Sequence, residues 1–374
     1  GNSVLPADPH TVVTTLYGMN EATGDVFFAA HPGTPLDQKV YVAHANGRID
    51  CLTPRDGWNS ALFSADYKHF LCTWSDLNTP TQTTLCTVSG QSAKTVATLV
   101  DNKTLAQKYA SYDMGTKEFF TFTTSEGVQL VGWMVKPAAF DASKPHPVIM
   151  YQYGGPGSQQ VKNAWTLGMN GQGAILEQYL AQQGYVCVCV DNRGTGGRGA
   201  AFEKSTYLRL GEQEARDQVE TAQWLAKQSW ADAKRIAIWG WSYGGWNTLM
   251  AMTEGRPVFC CGIAIAPPTN WRYYDTVYSE RFMRTPRENA NGYDEVCPLA
   301  RVGQLNGQLL ICHGLSDDNV HYQNTAELVS ALVAADKDFS QLVYTNRNHS
   351  IYGGNTRSHL YRQCINFFNL NLRP

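Results

Sequence analysis

The sequence predicts an α/β fold with a mostly parallel eight-stranded sheet, preceded by an all-β segment, and two observations carry that reading. Short alternating apolar runs between turn residues fill roughly the first hundred positions. Beyond them, apolar strands alternate with amphipathic helical stretches, the pattern of crossover connections in a parallel sheet. The length of 374 residues, with 43% hydrophobic and 11% aromatic residues, suits two domains or one large domain with an appendage, and supports a buried core.

In the first region eight runs read as strands: Thr11 to Leu16, Asp25 to Ala30, Lys39 to His44, Arg48 to Leu52, Ser60 to Phe63, His69 to Trp74, Thr83 to Val88 and Lys94 to Leu99. The turn Asn46-Gly47 recurs as Ser89-Gly90, 43 positions later, each time between strands of similar pattern. That spacing falls in the period of four-stranded propeller blades, so about two blades are expected, with a small all-β sandwich as the competing reading. A helix-like link at Thr104 to Ala110 follows, and the expected domains are 1–103 and 104–374.

The second region opens with Glu118 to Thr124 and Val128 to Val135 as an antiparallel pair. Strands are then expected from Val148, Tyr185, Arg235, Cys261, Gln308 and Gln341, with helices at Ile175 to Gln183, Glu212 to Lys227, after Ser242, Tyr322 to Ala335 and from about Asn355. This is the strand and helix order of an α/β-hydrolase fold, in which reacting groups sit on loops at the carboxyl ends of strands.

Within it, Gly240-Trp-Ser-Tyr-Gly-Gly245 follows the apolar run Ile236 to Trp239 and precedes a helical pattern. The strand, sharp turn and helix around G-x-S-x-G lift Ser242 above an ordinary glycine-rich turn and make it the expected nucleophile. An acid and then a histidine should follow, each after a strand. His349 alone follows the last strand by a short loop; His313 precedes the acid candidates, His321 opens a helix and His359 lies within one. Asp317 and Asp318 follow the strand Gln308 to Cys312, whereas Asp336 and Asp338 lie past a helix, and Asp317 is the chosen acid. It would hold His349 in the tautomer that accepts the Ser242 proton. The Tyr243 amide, after the nucleophile, and the loop Tyr153-Gly-Gly-Pro-Gly157, with the Tyr153 hydroxyl, are the expected oxyanion donors.

These segments resemble the prolyl oligopeptidase superfamily, in particular its dipeptidyl peptidase IV branch. The likeness is carried by Tyr153 to Gln159, Asp191-Asn-Arg-Gly-Thr-Gly196, Leu210 to Gln218, Gly240 to Gly245, Ala266 to Arg281 and His313 to His321. It implies the triad Ser242, Asp317 and His349, with Tyr153 and Tyr243 holding the oxyanion. It also implies that Trp271, Tyr274, Tyr278, Tyr243 and Val320 wall a pocket for proline or alanine at the penultimate substrate position, and that Asn319 bonds a substrate carbonyl. The implied activity is release of N-terminal dipeptides from peptides with a free amino terminus, with a homodimer and export to a periplasm or cell surface also implied. That branch anchors the substrate amine on propeller glutamates that have no counterpart in this sequence. With a start at Gly1-Asn2-Ser3 and only about two blades, a fragment of a longer protein is expected.

A carboxylesterase or another acyl hydrolase would use the same triad but gives no reason for the tyrosine-rich pocket. An inactive binding protein would require a lost triad member. A net charge of −2 with interspersed signs favours neither nucleic acid nor an anionic membrane, and no apolar run is long enough to span a bilayer. No zinc or phosphate-loop pattern is present, so no cofactor is expected. The ten cysteines lack C-x-x-C spacing. Cys187, Cys189, Cys260 and Cys261 read as buried thiols, while disulfides among Cys51, Cys72, Cys86, Cys297, Cys312 and Cys364 stay open.

Overall fold

Each of the two repeats in the first region closes on itself. In the computed structural model, which describes residues 11–166, 171 and 174–372, β1 (Thr11–Asn20), β2 (Asp25–Pro32), β3 (Lys39–Ala43) and β4 (Ile49–Cys51) form one antiparallel meander. β5 (Trp58–Phe63), β6 (His69–Ser75), β7 (Gln82–Ser89) and β8 (Ser92–Val100) form the second. Neighbouring strands pair in sequence order and none is exchanged between the sheets, which is how propeller blades are built and Greek-key sandwiches are not. Alternation puts Phe27, Val40, Val42 and Leu52 of the first sheet against Phe70, Cys72 and Cys86 of the second in one dry layer.

The second region carries an eight-stranded sheet in the order β16-β15-β14-β13-β11-β12-β10-β9. Its strands are β9 (Thr116–Thr123), β10 (Gln129–Lys136), β11 (His146–Tyr151), β12 (Val186–Asp191), β13 (Ala231–Trp241), β14 (Cys261–Ile265), β15 (Gln308–Gly314) and β16 (Ser340–Tyr344). The entering pair is antiparallel, and β11 through β16 run parallel as the crossover helices demand.

Both faces of this sheet are covered. Val148 and Met150 of β11 point to one core with the helices Glu212–Leu225, Tyr243–Met252 and Gln323–Ala334, while Ile149 and Tyr151 point to the other with Ile175–Gln182 and Thr356–Leu372. That two-sided burial is why β12 and β14 are buried at every residue and read, in β12 as far as Val190, as unbroken apolar runs. Each fully buried Val or Ile there contributes about 2 kcal/mol of transfer free energy.

Several boundaries shift by a few residues from the sequence reading, and two of the shifts matter at the site. β11 stops at Tyr151 rather than Tyr153, because Gly154 (φ 81°) turns the chain off the sheet. The helix after Ser242 starts at Tyr243, so Ser242 itself is its cap. Between β14 and β15 lie short helices, including Thr276–Met283, that helical periodicity did not resolve. All ten cysteines are free thiols; Cys187, Cys189 and Cys261 are buried as expected, whereas Cys260, just outside β14, is only half-buried.

Candidate active site

The turn at the end of β13 is shaped by what cannot fit there. A Cβ on Gly240 would lie 2.5 Å from the Gly244 carbonyl and 2.6 Å from the Gln152 oxygen, and one on Gly244 would strike the same Gln152 oxygen. Backbone on every side cannot give way, so both positions require glycine. The resulting elbow forces Ser242 to φ 59° and ψ −119°, a strained conformation for a residue with a side chain, and its amide is held by the Ile265 carbonyl at 2.8 Å. Tyr243 begins the helix, so its N–H has no intrahelical acceptor and stands available beside the Ser242 side chain.

The acid loop is equally determined. Asp317 is buried and Asp318 exposed, which separates two adjacent carboxylates that sequence alone barely distinguishes. Asp317 Oδ1 accepts the amides of Asn319 and Val320, both at 2.9 Å. Its Oδ2 lies 2.7 Å from His349 Nδ1 and 3.1 Å from His313 Nε2. Burial alone would raise the Asp317 pKa, but the hydrogen bonds from His313 and His349 outweigh it and hold the carboxyl far below its usual range. His313 Nε2 also faces the Val320 carbonyl at 2.8 Å and its Nδ1 faces Thr325 Oγ1 at 2.7 Å. Two acceptors at Nε2 assign the proton there, and Asp317 likewise assigns a proton to His349 Nδ1, so that Nε2 is the nitrogen facing away from the acid.

Trp241, the residue before Ser242, donates its indole N–H to the His349 carbonyl at 3.0 Å, tying the serine turn to the histidine loop. Among the described residues no side-chain hydrogen bond of standard geometry joins Ser242 to His349; such bonds commonly tighten only with substrate in place. The Ser242 side chain instead contacts the Tyr153 hydroxyl, where burial raises the phenol pKa and the serine contact opposes it.

Around this point the structure gathers the expected aromatics. Trp271 lies 5.4 Å from Tyr243, 5.8 Å from Tyr274 and 5.8 Å from Tyr278, centroid to centroid. The Tyr274 hydroxyl donates to Asn319 Oδ1 at 2.8 Å, joining this cluster to the acid loop and leaving the Asn319 NH2 as a donor. Val320 is fully buried on the same loop.

Sequence reasoning missed the polar layer beneath. Gln152 Nε2 donates to the Gly244 carbonyl (2.5 Å) and to Thr248 (2.9 Å), and Asn247 donates to Gln152 Oε1 (2.8 Å). Asn192 donates to the Gly154 carbonyl at 3.0 Å and accepts from Gln218 at 3.0 Å. These buried amides lock the loop bearing Tyr153 to the helix bearing Tyr243. Asn192 and Gln218 fall in segments already marked by the resemblance, which was the only signal for them.

The profile of the prolyl oligopeptidase family matches residues 175–374 and that of the dipeptidyl peptidase IV (DPP IV) N-terminal region matches residues 10–81. The chain belongs to the prolyl oligopeptidase family. It is 36% identical over 350 residues to the "Probable dipeptidyl-aminopeptidase B" of Sclerotinia sclerotiorum, covering 91% of this chain and 37% of that protein. It is 32% identical to the "Prolyl endopeptidase FAP" of Mus musculus, covering 91% of this chain and 44% of that protein. The crystal structure of Porphyromonas gingivalis dipeptidyl peptidase 4 superposes with a TM-score of 0.92 at 45% identity, covering 97% of this chain and 50% of that one. This member of the prolyl oligopeptidase family thus spans about two fifths of the length of the curated relatives it matches.

Proposed function

We propose that this polypeptide forms the catalytic part of a serine exopeptidase that releases N-terminal dipeptides with proline or alanine at the penultimate position. The observation that carries the proposal is the 2.7 Å pair of His349 Nδ1 and buried Asp317, set beside a serine on a strained turn. Ser242 Oγ attacks the carbonyl carbon of the penultimate residue as His349 Nε2 takes its proton, and Asp317 stabilises the imidazolium. Negative charge on the former carbonyl oxygen is met by the Tyr243 N–H and the Tyr153 O–H. The imidazolium returns its proton to the leaving amine, giving an acyl-enzyme on Ser242 that water, activated by His349, hydrolyses.

The ring cluster of Trp271, Tyr274, Tyr278 and Tyr243, with Val320, suits a compact apolar ring or methyl group in the acyl pocket, and the Asn319 NH2 suits a substrate backbone carbonyl. A boundary between the two functional regions near residue 103, a homodimer and an exported location complete the proposal. Among the described residues no helix is long and apolar enough to cross a membrane. In the full-length protein a fluorophosphonate labels Ser242 and Gly-Pro-anilide is cleaved in preference to short-chain nitrophenyl esters. Label on another serine in Ser242→Ala, or a preference for the esters, overturns the assignment.

A further inference from the structure

The segment Leu210 to Gln218 belongs to the sequence likeness yet supplies no group to the chemistry above. Its centre is Glu214, at the third position of the helix Glu212–Leu225, where Gly211 (φ 92°) is the cap. Glu214 Oε2 accepts the Gly211 N–H at 2.9 Å, the glutamate half of a capping box, which glycine has no side chain to reciprocate. Such glutamates ordinarily sit at the surface. This one is fully buried, and its other oxygen accepts the Tyr243 hydroxyl at 2.7 Å.

Tyr243 is the residue on which two demands meet. Its backbone N–H is an oxyanion donor in the proposed mechanism, and its ring stands between Tyr153 (6.0 Å) and Trp271 (5.4 Å) as a wall of the acyl pocket. The backbone is fixed on one side by the Ser242 amide bonded to Ile265. The far end of the side chain has Glu214 as its hydrogen-bond partner.

We infer that Glu214 is a positioning residue for the proposed peptidase reaction, clamping the Tyr243 phenol so that one side chain fixes both the pocket wall and the adjoining oxyanion amide. Burial raises the Tyr243 pKa well above its ordinary value, so the phenol keeps its proton and donates to the Glu214 oxygen whether that carboxyl is ionised or protonated. The inference rests on the proposed function but does not repeat it, since Glu214 touches neither substrate nor reacting atoms. A helix cap alone would need only the Gly211 bond.

Glutamine serves a capping box as well as glutamate does, which separates the two roles. In Glu214→Gln the amide oxygen keeps the Gly211 bond, and the NH2 then meets the phenol, leaving the Tyr243 O–H without an acceptor. The NH2 donates to the phenol oxygen instead, and leaving the buried O–H unsatisfied at the pocket wall corresponds to about a tenfold fall in kcat/KM for Gly-Pro-anilide. The proline-over-alanine preference changes with it.

The test is a double-mutant cycle of Glu214→Gln and Tyr243→Phe in the full-length protein, read from kcat, KM, the Pro-to-Ala ratio and the rate of Ser242 phosphonylation. The expected result is strong non-additivity, the double variant being no worse than the more damaged single variant. Additive losses, or a Glu214→Gln enzyme with unchanged preference and phosphonylation rate, reduce Glu214 to a helix cap and overturn the inference. A wild-type protein that is phosphonylated at Ser242 but inert to Gly-Pro-anilide removes the substrate reading instead, and the cycle is then decided by phosphonylation rates alone.

Discussion

Replacing Asp317 with asparagine separates catalysis from stability in the proposed mechanism. The carboxylate has four donors: two backbone amides on Oδ1, and His349 and His313 on Oδ2. An asparagine that keeps its oxygen toward the two amides turns its NH2 toward the histidines. His313 loses little, because its Nε2–H still has the Val320 carbonyl at 2.8 Å. His349 can pair with the NH2 only by accepting at Nδ1, which moves its proton to Nε2, the atom that takes the proton of Ser242 in the proposed mechanism. That tautomeric error costs about 10⁴ in kcat in the analogous hydrolase triad. The stability cost is one imperfectly paired group, about 1–3 kcal/mol. Turnover of Gly-Pro-anilide and a denaturant midpoint measured on the same sample check the pair of numbers. A variant that keeps more than a tenth of the wild-type kcat, or one that loses activity only by unfolding, refutes the reasoning.

Three further outcomes are expected. Gly244→Ala drives a methyl into the Gln152 carbonyl and removes Ser242 labelling, while the same substitution at Gly47, where nothing lies within 4 Å, leaves labelling intact. Tyr153→Phe lowers kcat by about 10²-fold with little change in KM, since one oxyanion donor is lost, and equal loss in kcat and gain in KM would contradict that role. The third concerns pH. Burial raises Glu214 to about 8, Glu177 to about 7 and Asp191 to about 6, and the Glu177 oxygen left without a partner suits a bound proton. The folded state therefore binds more protons than the unfolded chain, whose carboxyls titrate near 4, so stability is greatest at low pH in this range and falls as pH rises from about 5 to 8. Asp317, held low, works the other way and loses its contribution as pH falls below about 4. Melting temperature should decline between pH 5 and 8, less steeply in Glu177→Gln; a flat wild-type curve would contradict the assignment.

The parts of the fold legible in sequence were those written in periodicity. Runs such as Val186 to Val190 announce burial on both faces, and Asn46-Gly47 with Ser89-Gly90 announce the two repeats. Ser242, Asp317 and His349 were singled out because each follows a strand, and the structure sets His349 Nδ1 2.7 Å from Asp317. Side-chain burial was not. Nothing in the string distinguishes Glu214, wholly enclosed, from Glu212 two positions earlier, which reaches the surface to pair with Arg209. His313 looked excluded by its place before Asp317 but is a second imidazole on the same carboxylate, and chain order says nothing about a residue that serves the acid. Gln152 and Asn247, 95 positions apart, share a hydrogen bond that only the assembled sheet reveals.

The stretch that leaves the Tyr153 turn continues from Gln159 to Trp165 as a strap across both β-sheets. Gln159 donates to the Pro35 carbonyl (2.6 Å), Asn163 donates to Asp37 (2.8 Å) and accepts from the Leu77 amide (2.9 Å), and the Trp165 amide reaches Ser75 (3.0 Å). The strap begins two residues past Gly157, and between it and the phenol that faces Ser242 the chain is pinned by Gly157 N–H on the Gly194 carbonyl (3.1 Å) and Gly196 N–H on the Ser158 carbonyl (2.8 Å). The same short run of chain therefore has one end moored to the hydrolase region and the other to both β-sheets, so the Tyr153 turn and the sheets are held in register by covalent connection as well as by hydrogen bonds.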